Sequence, residues 1–183
     1  MPTLYLLIGG NEGDRRQMIS HATDLIRERI GSVVAVSNIY ETTPWGTFAP
    51  GEEPQNFYNK ALQVGTTLSP HEALDEALCI ERVLGRRRGK MENGEWGTEK
   101  CQGAAANSQF YSSRPMDIDM IFYDSLVIDT PDLVLPHPRM HLRRFVLQPL
   151  CEIAPDFIHP FFNKTLSQLL EECPDTSSCL CCC

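Results

Sequence analysis

Apolar positions along this chain follow two rhythms, and the switches between them mark out its elements. Residues 3–8 (TLYLLI) form a short continuous apolar run ended by Gly9-Gly10, which reads as a buried strand. From Glu12 to Ile30 the spacing changes. Met18, Ala22, Leu25, Ile26 and Ile30 make one helical stripe, closed by Gly31. Residues 32–41 (SVVAVSNIYE) are rich in β-branched types and predict a second strand, followed by the Pro- and Gly-rich loop TTPWGTFAPGEEPQN. Residues 57–67 give a third strand with partial alternation. Ser69, Pro70 and Glu72 then make a strong helix start: a cap, a proline at the first helical position, and a capping box. Ala73, Leu74, Ala77, Leu78, Ile80 and Leu84 carry that helix to Gly85. A fourth strand is predicted over residues 114–124, then a short apolar LVI segment, the turn-rich PHPRM, a helix from about Met140 to Leu150 and a last short helix near 165–172.

The order strand, helix, strand, strand, helix, strand predicts an α+β fold, a ferredoxin-like βαββαβ sandwich. Its antiparallel sheet carries helices on one face, and the C-terminal helices are extra. At 183 residues the chain is long enough for one domain with a sizeable core, assigned here to residues 1–174. The remaining residues, 175–183, crowd Cys179, Cys181, Cys182 and Cys183 behind a polar stretch and predict a frayed, disordered tail. The tail lacks the spacing of a prenylation box or of a CxxC zinc site. Arg86 to Ser113 is the longest irregular segment, and a stretch of that length inside a compact domain is usually functional or disordered.

Composition narrows the class. Hydrophobic residues make up 42% and charged residues 22%, an ordinary globular balance. No apolar run reaches the ~20 residues of a membrane span, and the N-terminus lacks the basic start and long apolar core of a signal peptide. A cytoplasmic protein, with no membrane partner, is expected. The net charge of −8 argues against nucleic acid as a general partner. Basic residues nonetheless cluster at Arg86, Arg87, Arg88 and Lys90, and again at Arg139, Arg143 and Arg144.

The chemistry centres on RPMDIDMIFYD. Strand alternation puts Met116, Ile118, Met120 and Phe122 on one face and Asp117, Asp119, Ile121 and Tyr123 on the other. Two carboxylates two residues apart on one face repel unless a cation lies between or beside them, and hard oxygen ligands suit Mg²⁺. The alternative is a pair of solvated carboxylates. Arg114 and the Arg86–Arg88 cluster stand at the two ends of the long loop, and guanidinium forks match phosphate oxygens. His137 and Arg143 are further phosphate donors in range of the motif. The glycines of GGNEGD do not make G-x-G-x-x-G and are read as serving a strand-to-helix turn; there is no Walker A motif.

The segments LIGGNEGD, YETTPWG, FYNKAL, IERVLGRRR, SRPMDIDMIFYD and LPHPRMHLRRFVLQPLCEIAPD, in this order, resemble the 6-hydroxymethyl-7,8-dihydropterin pyrophosphokinases of folate biosynthesis, from about Leu4 to Pro160. The resemblance implies transfer of pyrophosphate from ATP to a reduced pterin alcohol, with release of AMP. It implies that Asp117 and Asp119 bind two Mg²⁺, with Arg88 and Arg114 beside them as catalytic residues. Arg88, Arg114, Ile118, His137 and Arg143 would contact ATP. Thr42, Thr43, Trp45, Phe57, Asn59 and Phe145 would bind the pterin, Asn59 through its amide and the two phenylalanines by stacking. Glu81 matches a supporting position. ATP and the pterin are the expected partners, and a monomer is expected.

The chain departs from the family pattern in several places. Gly-Gly-Asn replaces Gly-Ser-Asn after the first strand, the loop after Arg88 is long, and Trp96 has no secure counterpart. A family glutamine near Leu78 is missing, and the cysteine tail has no family equivalent. A non-catalytic ferredoxin-like domain that binds nucleotide, pterin or RNA is the competing class.

Overall fold

The structure is a computed structural model describing residues 1–44, 55–85, 91–92, 95–96 and 113–182, of which 91–92 and 95–96 are described in their backbone alone. Its elements follow the apolar rhythm closely. Strand β1 is Thr3–Gly10, helix α1 is Arg15–Arg29, and strands β2 and β3 are Gly31–Val36 and Tyr40–Thr42. Strand β4 is Phe57–Thr66 and helix α2 is Pro70–Val83. After a two-residue hairpin pair, β5 (Met91–Glu92) and β6 (Glu95–Trp96), comes β7, Asp117–Tyr123. The short strands β8 (Ile128–Asp129) and β9 (Val134–Leu135) pair with each other. A 3-10 turn at Met140–Leu142, helices α3 (Arg144–Ile153) and α4 (Leu166–Glu171), and strand β10 (Cys179–Cys181) complete the described chain.

Local chemistry explains the boundaries. Asp14 caps α1 by accepting from the Gln17 N–H at 3.0 Å. The capping box expected at Ser69 is present, with Ser69 and Glu72 satisfying each other's backbone N–H and Pro70 opening the helix. The second predicted strand divides at Ser37, whose N–H still donates to the Ala61 carbonyl at 3.0 Å but whose side chain takes the return bond of the ladder. Its hydroxyl accepts from the Ala61 N–H at 2.9 Å and donates to the Asn38 carbonyl at 2.7 Å. Both pieces still pair with β4.

The main sheet is antiparallel, in the order β10-β3-β4-β1-β7, with β2 also on β4. One face carries Leu4, Leu6, Ile8, Met116, Ile118 and Met120 against α1 and α2. The other carries Tyr5, Leu7, Ala61, Ile121 and Phe122 against Val146, Leu147 and Leu150 of α3 and Leu166 and Leu169 of α4. The extra C-terminal helices thus cover the face opposite α1 and α2. This produces a mixed α/β molecule with an antiparallel sheet between helices.

Two expectations need correction. Strict alternation along β7 fails after Met120, because Leu6 pairs with Met120 while Tyr5 pairs with Phe122. Ile121 is the extra residue of a β-bulge, so Phe122 joins the α3 face and Tyr123 the α1 face, the reverse of the predicted sides. The C-terminal tail is also not frayed. Cys179–Cys181 adds to the sheet edge, antiparallel to β3, because that edge offers unpaired backbone groups.

Being an edge strand, β7 finds partners for its backbone outside the sheet. The Ile118 N–H donates to Glu81 Oε1 of α2 at 2.8 Å, and the Ile121 carbonyl accepts from the His137 N–H at 3.0 Å. Glu81 is only 1% exposed. Replacing it by Ala leaves a buried N–H without its acceptor and should cost about 1–3 kcal/mol. Glu81→Gln, which keeps an acceptor, should lose less. Urea denaturation midpoints of the two variants check this, and an unchanged midpoint in Glu81→Ala would remove Glu81 as the anchor of β7.

Candidate active site

The site grows from one row of the sheet. Gly9 pairs with Asp117 of β7 on one side and with Asn59 of β4 on the other, and Asn59 pairs with Tyr40 of β3. Asp117, Gly9, Asn59 and Tyr40 therefore stand side by side across four strands. Two strand spacings separate Asp117 from Asn59, about 10 Å of backbone, with a glycine between them. Asp119 lies one row further on, opposite Leu7, whose side chain packs on the α3 face. Thr42 and Phe57 form the row on the other side.

Gly9 and Gly10 are demanded by close approach rather than by the turn. A Cβ on Gly9 would stand 2.5 Å from Asn59 Oδ1, and one on Gly10 would stand 2.2 Å from the Pro115 carbonyl oxygen. Neither could be accommodated without movement of the neighbouring strand. The turn into α1 is served by Gly13, whose φ of +64° lies in the left-handed region.

Asn11 is a residue the sequence reading missed. It is 1% exposed and holds the ends of both long loops. Its Oδ1 accepts from the Arg114 N–H at 2.8 Å, while its own N–H donates to the Arg114 carbonyl at 3.0 Å. Its Nδ2 donates to Ser113 Oγ at 3.1 Å and to the Gln55 carbonyl at 3.3 Å. In the sequence Asn11 looks like one more turn residue after two glycines. Only the fold shows that the ends of two loops converge on it.

Held in this way, Arg114 reaches forward to the first residue of β7. Its Nη1 lies 2.6 Å from Asp117 Oδ2, and its guanidinium carbon lies 5.9 Å from the centre of the Phe57 ring. The buried Nε of Arg114 meets no hydrogen-bond acceptor among the described residues. Asn59, 5% exposed, donates from Nδ2 to Thr42 Oγ1 at 2.9 Å, which fixes the amide's orientation.

His137 lies on the other side of Asp117, tied to the bulge through its backbone. Its Nδ1 accepts from the Arg139 N–H at 3.2 Å, so a neutral ring carries its proton on Nε2. Burial first, and the Arg143 guanidinium second, push its pKa down to about 4, against a smaller opposing pull from Asp117. At neutral pH it is therefore an uncharged donor. Arg143, immediately before α3, has its guanidinium carbon 5.6 Å from the centre of the Phe145 ring.

The structure thus brings Arg114, Asp117 and Phe57 together, pairs Asn59 with Thr42, and sets His137 within electrostatic range of Arg143 and Asp117. Thr43 follows Thr42 at an exposed position. Ile118 differs from the others: its side chain is in the core beneath α1 and α2, and Glu81 holds its N–H. Arg88, Trp45 and the remaining basic residues 86, 87 and 90 lie outside the described residues, as does the side chain of Trp96. No group of three or more His, Cys, Asp or Glu among the described residues is arranged to hold a metal. Two aspartates alone form an all-oxygen pair, the donor set suited to an ion that keeps water and phosphate as its other ligands.

Comparison with known proteins gives the family. Residues 5–155 match the family model described as 7,8-dihydro-6-hydroxymethylpterin-pyrophosphokinase (HPPK). The chain is 35% identical over 161 residues to the 2-amino-4-hydroxy-6-hydroxymethyldihydropteridine pyrophosphokinase of Porphyromonas gingivalis, covering 87% of this chain and 95% of that one. It is 34% identical over 182 residues to the enzyme of the same name from Aquifex aeolicus, covering 100% of this chain and 98% of that one. Among solved structures it resembles Plasmodium falciparum HPPK-DHPS with pteroate, at a TM-score of 0.67 and 14% identity. That alignment covers 93% of this chain and 42% of the longer one, so the chain spans less than half of that protein. With a family model matched over most of its length and relatives matched end to end, the chain belongs to the 7,8-dihydro-6-hydroxymethylpterin-pyrophosphokinase family.

Proposed function

We propose that this chain transfers pyrophosphate from ATP to the hydroxymethyl group of 6-hydroxymethyl-7,8-dihydropterin and releases AMP, a step of folate biosynthesis. The observation that carries the reading is the row Asp117–Gly9–Asn59, in a chain of this family. It sets an acidic group suited to a metal–phosphate complex about two strand spacings from a fixed amide, with a side-chain-free floor between. The amide suits the donor–acceptor edge of a flat polar bicycle, and Phe57 and Phe145 supply aromatic faces.

In the reaction the pterin hydroxyl oxygen forms a bond to the β-phosphorus. The bond from that phosphorus to the oxygen bridging α and β breaks, AMP leaves with the bridging oxygen, and the hydroxyl proton goes to solvent. Asp117 and Asp119 would hold two Mg²⁺, which supply charge neutralisation and favour ionisation of the hydroxyl. Arg114 and Arg143, with Arg88, are the phosphate forks, and neutral His137 adds one Nε2–H donor. Arg114 neutralises Asp117, and its Nε–H, without an acceptor among the described residues, is a ready phosphate donor. Ile118 has its side chain in the core and its N–H on Glu81, so a contact with ATP there would fall to its remaining backbone atoms. Thr42, Thr43 and Trp45 belong to the pterin side. The same reading has the chain acting as a cytoplasmic monomer, one domain over residues 1–174, with ATP and the reduced pterin as its partners. No helix among the described residues is long and apolar enough to cross a membrane. The sequence order β1-α1-β2/β3-β4-α2-β7 supports a ferredoxin-like arrangement.

Incubation with ATP, Mg²⁺ and the reduced pterin alcohol should yield AMP and the pterin diphosphate in equal amounts. Release of ADP would place attack at the γ-phosphorus and refute this chemistry. Asp117→Asn combined with Asp119→Asn should lower kcat by at least about 10²-fold, the range for losing one electrostatic stabiliser of a transition state. Pterin affinity, carried by Asn59 and the aromatics, should stay within a few-fold by calorimetry.

His137 and His159 both have pKa values held near 4 by burial. In the unfolded chain each titrates near 6.5, so between pH 6.5 and 4 the unfolded state binds more protons and folding stability rises with pH. The stabilisation is fully present above pH 6.5 and is lost as pH falls toward 4. The Tm should drop across that window, while ring resonances of both histidines stay in their neutral positions at pH 5.5 by NMR. Titration of either ring near pH 6.5 would contradict the burial argument.

A further inference from the structure

The C-terminal strand β10 has no place in the reaction just described, yet it sits against a strand that has one. Its register places Cys179 opposite Thr42, Leu180 opposite Glu41 and Cys181 opposite Tyr40. The Cys182 N–H donates to the Ile39 carbonyl at 2.8 Å, making Cys182–Ile39 a hydrogen-bonded pair. By antiparallel alternation Leu180–Glu41 is the next such pair, and Cys179–Thr42 falls on a non-hydrogen-bonded position, where facing side chains come closest. Thr42 is 4% exposed although its own strand has only three residues, flanked by β4 and β10. Thr42 is the residue whose hydroxyl fixes the Asn59 amide.

The approach to β10 is also built. Asp175 Oδ2 accepts from the Arg144 N–H at 2.9 Å, at the first turn of α3, beside Arg143 and Phe145. Its Oδ1 accepts from both the N–H and the hydroxyl of Ser177. The segment is therefore fastened at two points, the start of α3 and the outer edge of β3. These are the supports of Phe145 and of Thr42. At the far end of β3, the Tyr40 hydroxyl donates to Glu152 of α3 at 2.9 Å, so α3 and β3 are already coupled there. The tail couples them at the other end, at Thr42, whose hydroxyl accepts from the Asn59 amide.

We propose that Asp175–Cys182 is a positioning element for the pterin half of the site: β10 holds Thr42, and through it the Asn59 amide, in register with the acidic row. The proposal rests on the pterin reading above. Its chemistry is backbone pairing, so the cysteine thiols need no reaction for it to operate.

The test compares the full chain with Leu180→Pro, with Leu180→Ala, and with a chain ending at Ser178. Leu180 is 62% exposed, so its side chain contributes little, whereas proline removes the N–H of a hydrogen-bonded pair. Steady-state kinetics are run at a temperature where circular dichroism shows every variant folded. Leu180→Pro and the shortened chain should raise KM for the pterin by roughly fivefold or more, with kcat and KM for ATP within about twofold, the pattern of lost ground-state binding. Leu180→Ala, which keeps the N–H, should restore full-chain behaviour. If the tail only adds stability, the Tm falls while KM for the pterin stays unchanged, and the proposal is overturned. Equal rises in both KM values also overturn it, because the effect is then not confined to the pterin side. A full chain that turns over no pterin at all refutes the underlying reading instead.

Discussion

The side-chain-free end of β1 is the constraint on which the site depends. At Gly9 and Gly10 the neighbouring strands close in until Asn59 Oδ1 and the Pro115 carbonyl fill the space a Cβ would take. This permits the row from Asp117 to Tyr40 to cross four strands without a side chain at its centre. Directly past the glycines, Asn11 closes the arrangement by bonding on both sides of the gap, to the Gln55 carbonyl and to the Ser113 hydroxyl and the Arg114 backbone. A larger residue at Gly10 would push β7 away and lengthen these hydrogen bonds. A different residue at 11 would release the loop ends even with the sheet intact. Packing and polar satisfaction thus specify the same geometry from two directions.

Much of this was legible in the chain. The capping box of Ser69 and Glu72, the extents of β1 and β4, and the shared face of Asp117 and Asp119 follow from local rules that tertiary structure did not override. What escaped is non-local. The bulge at Ile121 depends on the register of β1 against β7, and no pattern within RPMDIDMIFYD announces it. Asn11 and the glycines were read as turn residues because their partners lie 44 to 103 positions away. The tail was expected to fray because its cysteines follow a polar stretch and match neither a prenylation box nor a zinc pattern. An edge strand needs only backbone groups and an open neighbour, and β3 supplied one.

The bulge has a consequence for chemistry. It moves Phe122 to the α3 side, where it packs with Tyr5, Phe157 and His159, and it leaves the Ile121 carbonyl facing the His137 N–H. His137 is thereby held beside the acidic row by its backbone, and its ring is free to be set by Arg139 and Arg143. Because burial and Arg143 keep the ring neutral, the site's positive charge among the described residues is that of Arg114 and Arg143.

The electrostatic division across the sheet follows from the same row. The chain as a whole carries a net charge of −8, which opposes the approach of a polyanion such as ATP. Local charge must reverse this, and the sequence supplies it at the ends of the long loop and before α3, in Arg114 and Arg143 among the described residues. Arg114 is paired with Asp117 at 2.6 Å, so neither charge is left buried alone. A divalent cation entering with a triphosphate would exchange that pairing for two others, carboxylate to metal and guanidinium to phosphate. On the proposed reading each charge would keep a partner, so anion binding would leave no buried charge uncompensated.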